Sequence, residues 1–146
     1  LKVMKAKVIT LEEELKAALE IRKEVFVEEQ GVAAENEYDE FDTLHGPCQH
    51  VLVYHGGKPV GTGRVRVIDD YGKLERICVL KPYRKLGVGK VIMAALEKVA
   101  LKQGVSRVKI HGQTQAEGFY KKLGYQRVSD VFMEEGIPHV VMVKEC

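Results

Sequence analysis

Apolar positions along the chain change period several times, and each change marks an element. Alternation over about residues 4–10 predicts a strand. Apolar residues at 15, 18, 19 and 26 then predict an amphipathic helix over about 11–28. A polar, acid-rich loop at about 31–48 separates it from three strands near 49–54, 60–69 and 73–80. His55-Gly56-Gly57-Lys58-Pro59 and Asp69-Asp70-Tyr71-Gly72 have the composition of the turns between them. From Val88 the apolar residues recur at 88, 91, 92, 95, 96 and 99, the stripe of a helix over about 87–103 that Gly104 stops. A strand at 105–110, a short helix at 115–123 closed by Gly124, and strands near 125–133 and 138–144 complete the chain. Hairpin strands followed by a β-α-β-α-β run predict the α/β (α+β) class, a mixed sheet with helices packed on it. No repeat, low-complexity tract or linker interrupts the pattern, so residues 1–146 are expected to form one domain.

The junction "ICVLKPYRKLGVGK" at 77–90 changes this picture from scaffold to site. An apolar strand ends at Lys81-Pro82, and two glycines then open the helix that starts at Val88. Such a turn aims the first free N–H groups of a helix at an anion. Arg84, Lys85 and Lys90 add positive charge around the same point. Neither well-known phosphate motif is present. Lys90 is followed by Val91 rather than Ser or Thr, and the position three after Gly89 is Ile92.

Composition adds limits. The net charge of +2 hides an asymmetry: residues 12–42 hold twelve Asp/Glu against three Lys/Arg, and 43–146 hold nine against seventeen. That is not the uniform basic field of a nucleic-acid binder, and the short patch Lys81, Arg84, Lys85 has only Tyr83 for stacking. No apolar run approaches the roughly 20 residues of a membrane span, and the lysine-rich start does not read as a signal peptide. Cys48, Cys78 and Cys146 are odd in number without C-x-x-C spacing, which points to free thiols and a cytoplasmic location.

A second motif lies downstream: Gln113-Thr114-Gln115-Ala116-Glu117-Gly118-Phe119-Tyr120-Lys121-Lys122-Leu123-Gly124-Tyr125. Arg84-x-x-Gly87-x-Gly89 after one strand, then A-x-x-F-Y-K-K-L-G-Y after the next, resembles the GNAT superfamily of N-acetyltransferases. "IRKEVFVEEQ" at 21–30 is similar to small bacterial members. "GIPHVVMVKE" at 136–145 is similar to the tail of glyphosate N-acetyltransferase and its relatives. The resemblance implies a sheet of about seven strands with splayed central parallel strands, and acetyl-CoA as donor without a metal. It implies that the backbone of Arg84, Lys85, Leu86, Gly87, Val88, Gly89 and Lys90 cradles the diphosphate. It also implies that the pantetheine arm pairs with the edge of Ile77, Cys78 and Val79, and that Phe119 and Tyr120 border the cofactor. The family often has Asn where Gln113 stands; the longer amide can still reach the cofactor.

Transfer to an amine needs a proton exit, because an amine of pKa about 10.4 is only about 0.04% neutral at pH 7. It also needs a proton for the departing thiolate. Tyr120 lies on the inward stripe 116, 119, 120, 123 and stands where the family keeps its general acid; the alternative is a core tyrosine. His139 shares a strand face with Val141 and Val143, expected to point inward, and an imidazole suits a base near neutral pH. The tail resemblance implies a catalytic role for it, with a core or surface histidine as the alternative. Glu75 is the rival base, alternating with Ile77 and Val79 while Arg76 shares the other face with Leu74 and Cys78; the alternative, and the reading preferred from the sequence, is a simple ion-pair partner. Arg22 interrupts the apolar stripe of the first helix and needs a carboxylate, substrate or water, which reads as a substrate contact or as a structural salt bridge with the acidic loop. It and Arg76 are the candidate acceptor contacts. Cys78 has no neighbouring signal for a nucleophile. His50 and His111 each stand alone on a strand.

Two functions of different class follow: an N-acetyltransferase acting on a small-molecule or protein amine in a ternary complex, and an acyl-CoA-binding sensor without transfer. The sensor has no need of Tyr120 and His139. The expected partners are a small-molecule amine and no nucleic acid or membrane, in a monomer or homodimer whose last two strands could join or exchange between copies.

Overall fold

A computed structural model describes residues 3–146. A sheet of eight strands forms the centre, one more than expected. The strands are β1 (Met4–Val8), β2 (Gln49–His55), β3 (Lys58–Ile68), β4 (Tyr71–Val79), β5 (Arg107–Gln113), β6 (Gln126–Arg127), β7 (Phe132–Glu134) and β8 (Ile137–Glu145). The added strand arises where one was expected at 125–133, since the chain leaves the sheet between β6 and β7. The order is β1-β2-β3-β4-β5-β8-β6, with β7 also on β8. All pairings are antiparallel except β4 with β5.

Helix α1 (Glu12–Arg22) continues as a π-helical segment over Lys23–Glu29. The acidic loop that follows contains a short helix, α2 (Ala34–Glu37). One face of the sheet packs against α1 through Leu15, Ala18 and Ile21, and against its π-helical continuation through Val25. The other carries α3 (Val88–Lys102), which buries Val88, Ile92, Met93, Leu96, Val99 and Ala100, each large side chain worth about 1.5–3 kcal/mol. Helix α4 (Glu117–Lys122) follows β5 after a 3₁₀ turn at Thr114–Ala116. Gly61 and Gly63 of β3 let α3 sit close: a Cβ at Gly61 would lie 2.8 Å from Val88 Cγ1, and one at Gly63 2.9 Å from Leu96 Cδ1.

Two irregularities set the site. The parallel pairing of β4 with β5 covers only Gly72–Leu74 against Val108–Ile110. Beyond it β5 keeps its bonds to β8 as far as Gln113, while β4 runs on to Val79 beside β3. The sheet is therefore split in its middle. The second irregularity is a bulge in β4. Thr62 pairs Cys78 but Arg64 pairs Glu75, so β4 has one extra residue there, and Arg76 has φ +57°. The bulge corrects the alternation read from the sequence. Leu74 packs in the α3-side core with Ile77 and Val79, whereas Glu75 faces Arg64 on the α1 side, the side that Cys78 also packs on.

Candidate active site

The split opens into a cleft of about 800 Å³ whose walls include β4, the turn before α3, the end of β5, α4 and the β7–β8 turn. On one wall the outer edge of Ile77–Val79 has backbone groups that β5 does not pair. Such groups call for a partner, and an extended amide-bearing chain would supply one.

At the end of this wall the chain turns into α3. Gly87, the helix N-cap, has φ +88°, in the left-handed region that glycine reaches without strain. The N–H groups of Val88, Gly89 and Lys90 are the free donors of the first turn. Gly89 faces α4: a Cβ there would stand 3.1 Å from the Phe119 ring. Lys85, Gly87, Val88, Gly89 and Lys90 all line the cleft, while Leu86 is half-exposed and outside its lining. Arg84 is already engaged. Its guanidinium donates to the Val79 carbonyl at 3.0 Å and to both oxygens of Glu29 at 2.6 and 2.7 Å.

Tyr120 is 7% exposed and lines the cleft from the α3–α4 side. Burial pushes its phenol up to about 12, so it holds its proton at neutral pH. Its ring fits against Gly112 of β5, where a Cβ would be 2.9 Å from Tyr120 Cε2. His139 lies on the opposite face of the sheet from Val140 and Met142, which belong to the α3-side core. It turns towards Phe132 and the cleft, 7% exposed, with its ring stacked on that phenylalanine. Its Nδ1 is 2.6 Å from the Ile137 carbonyl, which assigns the neutral-ring proton to Nδ1 and leaves Nε2 as an acceptor. The two candidate proton carriers thus approach the split from opposite faces.

The other candidates fall differently. Arg22 is 1% exposed and outside the cleft lining; it donates to Glu37 at 2.9 Å and to Asp42 at 2.5 Å. It is a buried ion-pair partner that can reach a ligand only through Glu37. Glu75 lines the cleft but is held by Arg64 at 3.1 Å, Arg66 at 3.2 Å and Lys73 at 3.0 Å. Burial raises it, yet these partners hold it below the usual carboxylate range, which makes it a poor base. Arg76 stands on the bulge in the cleft wall, 3.2 Å from Glu37. Cys78 is buried, and burial pushes its thiol well up, so a thiolate nucleophile is disfavoured.

Beside the candidate Gln113, the cleft gathers residues to which the sequence assigns no site role. Gln30 and Gln113 exchange amide hydrogen bonds at 3.0 and 3.5 Å, joining the end of the π-helical segment to β5. Asn36 bonds Glu135 at 3.3 Å. His111, alone on its strand in the sequence, has its Nδ1 3.0 Å from Glu134. No motif spacing links residues 30, 36, 111 and 134; the sheet brings them together. Among the described residues no group of three His, Cys, Asp or Glu is placed to hold a metal ion, and no helix is long and apolar enough to cross a membrane.

Comparison with known proteins fits this geometry. Residues 9–146 match the family model described as an acetyltransferase (GNAT) domain. A Bacillus subtilis protein with a provisional acetyltransferase name is 61% identical over 142 residues, 97% of each chain. The uncharacterized N-acetyltransferase YjcF of the same organism is 53% identical over 143 residues, 97% of this chain and all of that one. A crystal structure of a provisionally named N-acetyltransferase from Lactobacillus plantarum superposes with a TM-score of 0.89 at 32% identity, covering 98% of each chain.

Proposed function

The chain belongs to the GNAT family of acetyl-CoA-dependent acetyltransferases, and we propose that it passes the acetyl group directly to a primary amine held with the donor in one ternary complex. The observation that carries this reading is the split between β4 and β5. It leaves the edge at 77–79 without a partner strand, its Val79 carbonyl taken by Arg84, and leads into the helix-capping turn at 84–90. Tyr120 and His139 flank it from opposite faces. The donor brings an activated thioester. The turn binds its diphosphate with backbone N–H groups, and the edge of Ile77, Cys78 and Val79 holds the pantetheine arm in register. Phe119 and Gln113 border that arm.

His139 Nε2 accepts a proton from the amine, whose nitrogen forms the new bond to the acetyl carbon. Tyr120 donates its phenolic proton to the sulfur as the carbon–sulfur bond breaks. One positioned acid or base contributes about 10²–10⁴-fold. The tail similarity at 136–145 supports the role of His139. Arg76, in the cleft wall, is the acceptor contact among the arginines, and Arg22 shapes the site through Glu37.

Calorimetric titration with acetyl-CoA tests the donor half, comparing the wild type with Gly89→Trp, whose indole must displace Phe119 and fill the turn. The expected result is micromolar binding that the variant loses. An amine screen with thiol detection then separates enzyme from sensor: Tyr120→Phe and His139→Asn should each abolish most thiol release. Absence of binding by folded wild type would overturn both readings.

A further inference from the structure

Glu134 ends β7 and leads into the turn before β8, where Glu135 and Gly136 both have positive φ. Its Oε1 accepts a hydrogen bond from His111 Nδ1 at 3.0 Å. Its Oε2 lies 3.8 Å from His139 Nε2. Phe132 fixes both imidazoles, meeting His111 edge-on at 5.2 Å and stacking on His139 at 6.0 Å. Because His139 Nδ1–H donates a hydrogen bond to the Ile137 carbonyl, the neutral ring turns its Nε2 lone pair towards Glu134. Two acceptors therefore face each other across 3.8 Å, too far apart for a bond between them. A nitrogen about 2.9 Å from each would close a triangle on that base, and only a group with two N–H donors satisfies both.

We propose that Glu134 anchors the acceptor as an ammonium ion against His139 Nε2, so that the acceptors of this site are cationic primary amines. The inference rests on reading His139 as the base. The ammonium gives one N–H proton to Nε2 while a second N–H stays on the carboxylate, and the nitrogen lone pair so freed is the nucleophile. The electron pair of the broken N–H bond stays on nitrogen, and nothing is oxidised or reduced.

The surroundings favour a cation. The His111 hydrogen bond, working against partial burial, holds Glu134 below the usual carboxylate range, so it is ionised at neutral pH. Lys73, the ammonium that faces it from β4, is itself 3.0 Å from Glu75. Glu135, next along the turn, adds a second negative charge at the same mouth and is bonded to the neutral amide of Asn36.

The binding arm of the test needs no turnover. Protein saturated with coenzyme A is titrated with benzylammonium, benzyl alcohol and benzoate, following the imidazole ¹H–¹⁵N signals of His111 and His139. Both rings should respond to benzylammonium and to neither of the others. Glu134→Gln should weaken benzylammonium roughly tenfold, the worth of one charge-assisted hydrogen bond at a half-exposed carboxylate, and the loss should shrink with added salt. Affinity for coenzyme A should not change. No response to benzylammonium, an equal response to the alcohol, or unchanged affinity in Glu134→Gln would overturn the anchor. His139→Asn keeps the two ideas apart. If it turns over amines like the wild type while Glu134→Gln still loses the ammonium, the base assignment fails and the anchor stands.

Discussion

Replacing Gly112 by alanine adds one methyl group to a buried strand, yet its largest effect should be on catalysis. The new Cβ would lie 2.9 Å from Tyr120 Cε2 and 3.0 Å from Cδ2. Ordinary carbon contacts are about 3.5–4.0 Å, so the ring must move by roughly 0.5–1 Å. It has little freedom, since Phe119 and Tyr125 meet it edge-on with centroids at 5.2 and 6.0 Å. Overpacking of this kind costs about 1–3 kcal/mol, which lowers Tm by roughly 3–10 °C in a domain of this size. A catalytic group misplaced by about 1 Å can cost 10²-fold, so kcat should fall 10- to 100-fold (a rough range) with acetyl-CoA affinity unchanged. The assay is thiol release with an amine from the screen, beside calorimetry and thermal unfolding. Tyr120→Phe is the control: it should lower kcat by about 10²–10³ and leave Tm near the wild-type value. In the double variant the Tm loss should persist, while kcat should be no lower than in Tyr120→Phe, because both changes act on one hydroxyl. A single Gly112→Ala variant that loses stability but keeps its kcat, or kcat losses that multiply, would refute a role for Tyr120 placement.

Two further outcomes follow from charged groups around the cleft. Glu29 holds the Arg84 guanidinium through two hydrogen bonds and would repel an arriving diphosphate; Glu29→Gln should tighten acetyl-CoA about two- to fivefold by calorimetry, and weaker binding would mean that Glu29 instead orients Arg84 for the ligand. Arg64, working against burial, is the main group that holds Asp39 at about 2, below its ordinary 3.8. A depressed carboxylate stabilises the fold above its unfolded pKa and loses that contribution as pH falls through the folded one. Tm should therefore drop as pH goes from 3.8 towards 2, and Asp39→Asn should flatten that acid limb; an unchanged limb would place the acid sensitivity elsewhere.

Most of the scaffold is local enough to be legible in the chain. The stripe from Val88 to Val99, Gly104 after it, and the glycine-rich turn before it specify α3 and its capped start, because helix periodicity and backbone sterics act within a few residues. Most strands are legible for the same reason, but not the break that divides the segment expected at 125–133 into β6 and β7; the link between the motif at 84–90 and that at 116–125 came from the family resemblance rather than from local pattern. The bulge at Arg76 was not, since an added residue shows only against the strand it pairs with, and it moved Glu75 from the face of Ile77 to that of Arg64. Arg22 illustrates the same limit. The sequence showed a charge on an apolar stripe and offered the acidic loop as its partner, while only the folded chain singled out Glu37 and Asp42 within that loop.

The chain by itself determined the element order, the donor-side turn and the residue types available for proton transfer, all encoded by spacing over one or two turns. Tertiary structure alone decided where the sheet splits, that Gly112 seats Tyr120, and that His111, Glu134 and His139 form one group. The split and the His111–Glu134 contact depend on strand register between segments more than twenty residues apart, and register is fixed by the packing of both sheet faces at once rather than by any local pattern; the Gly112–Tyr120 contact depends on how α4 packs back onto β5.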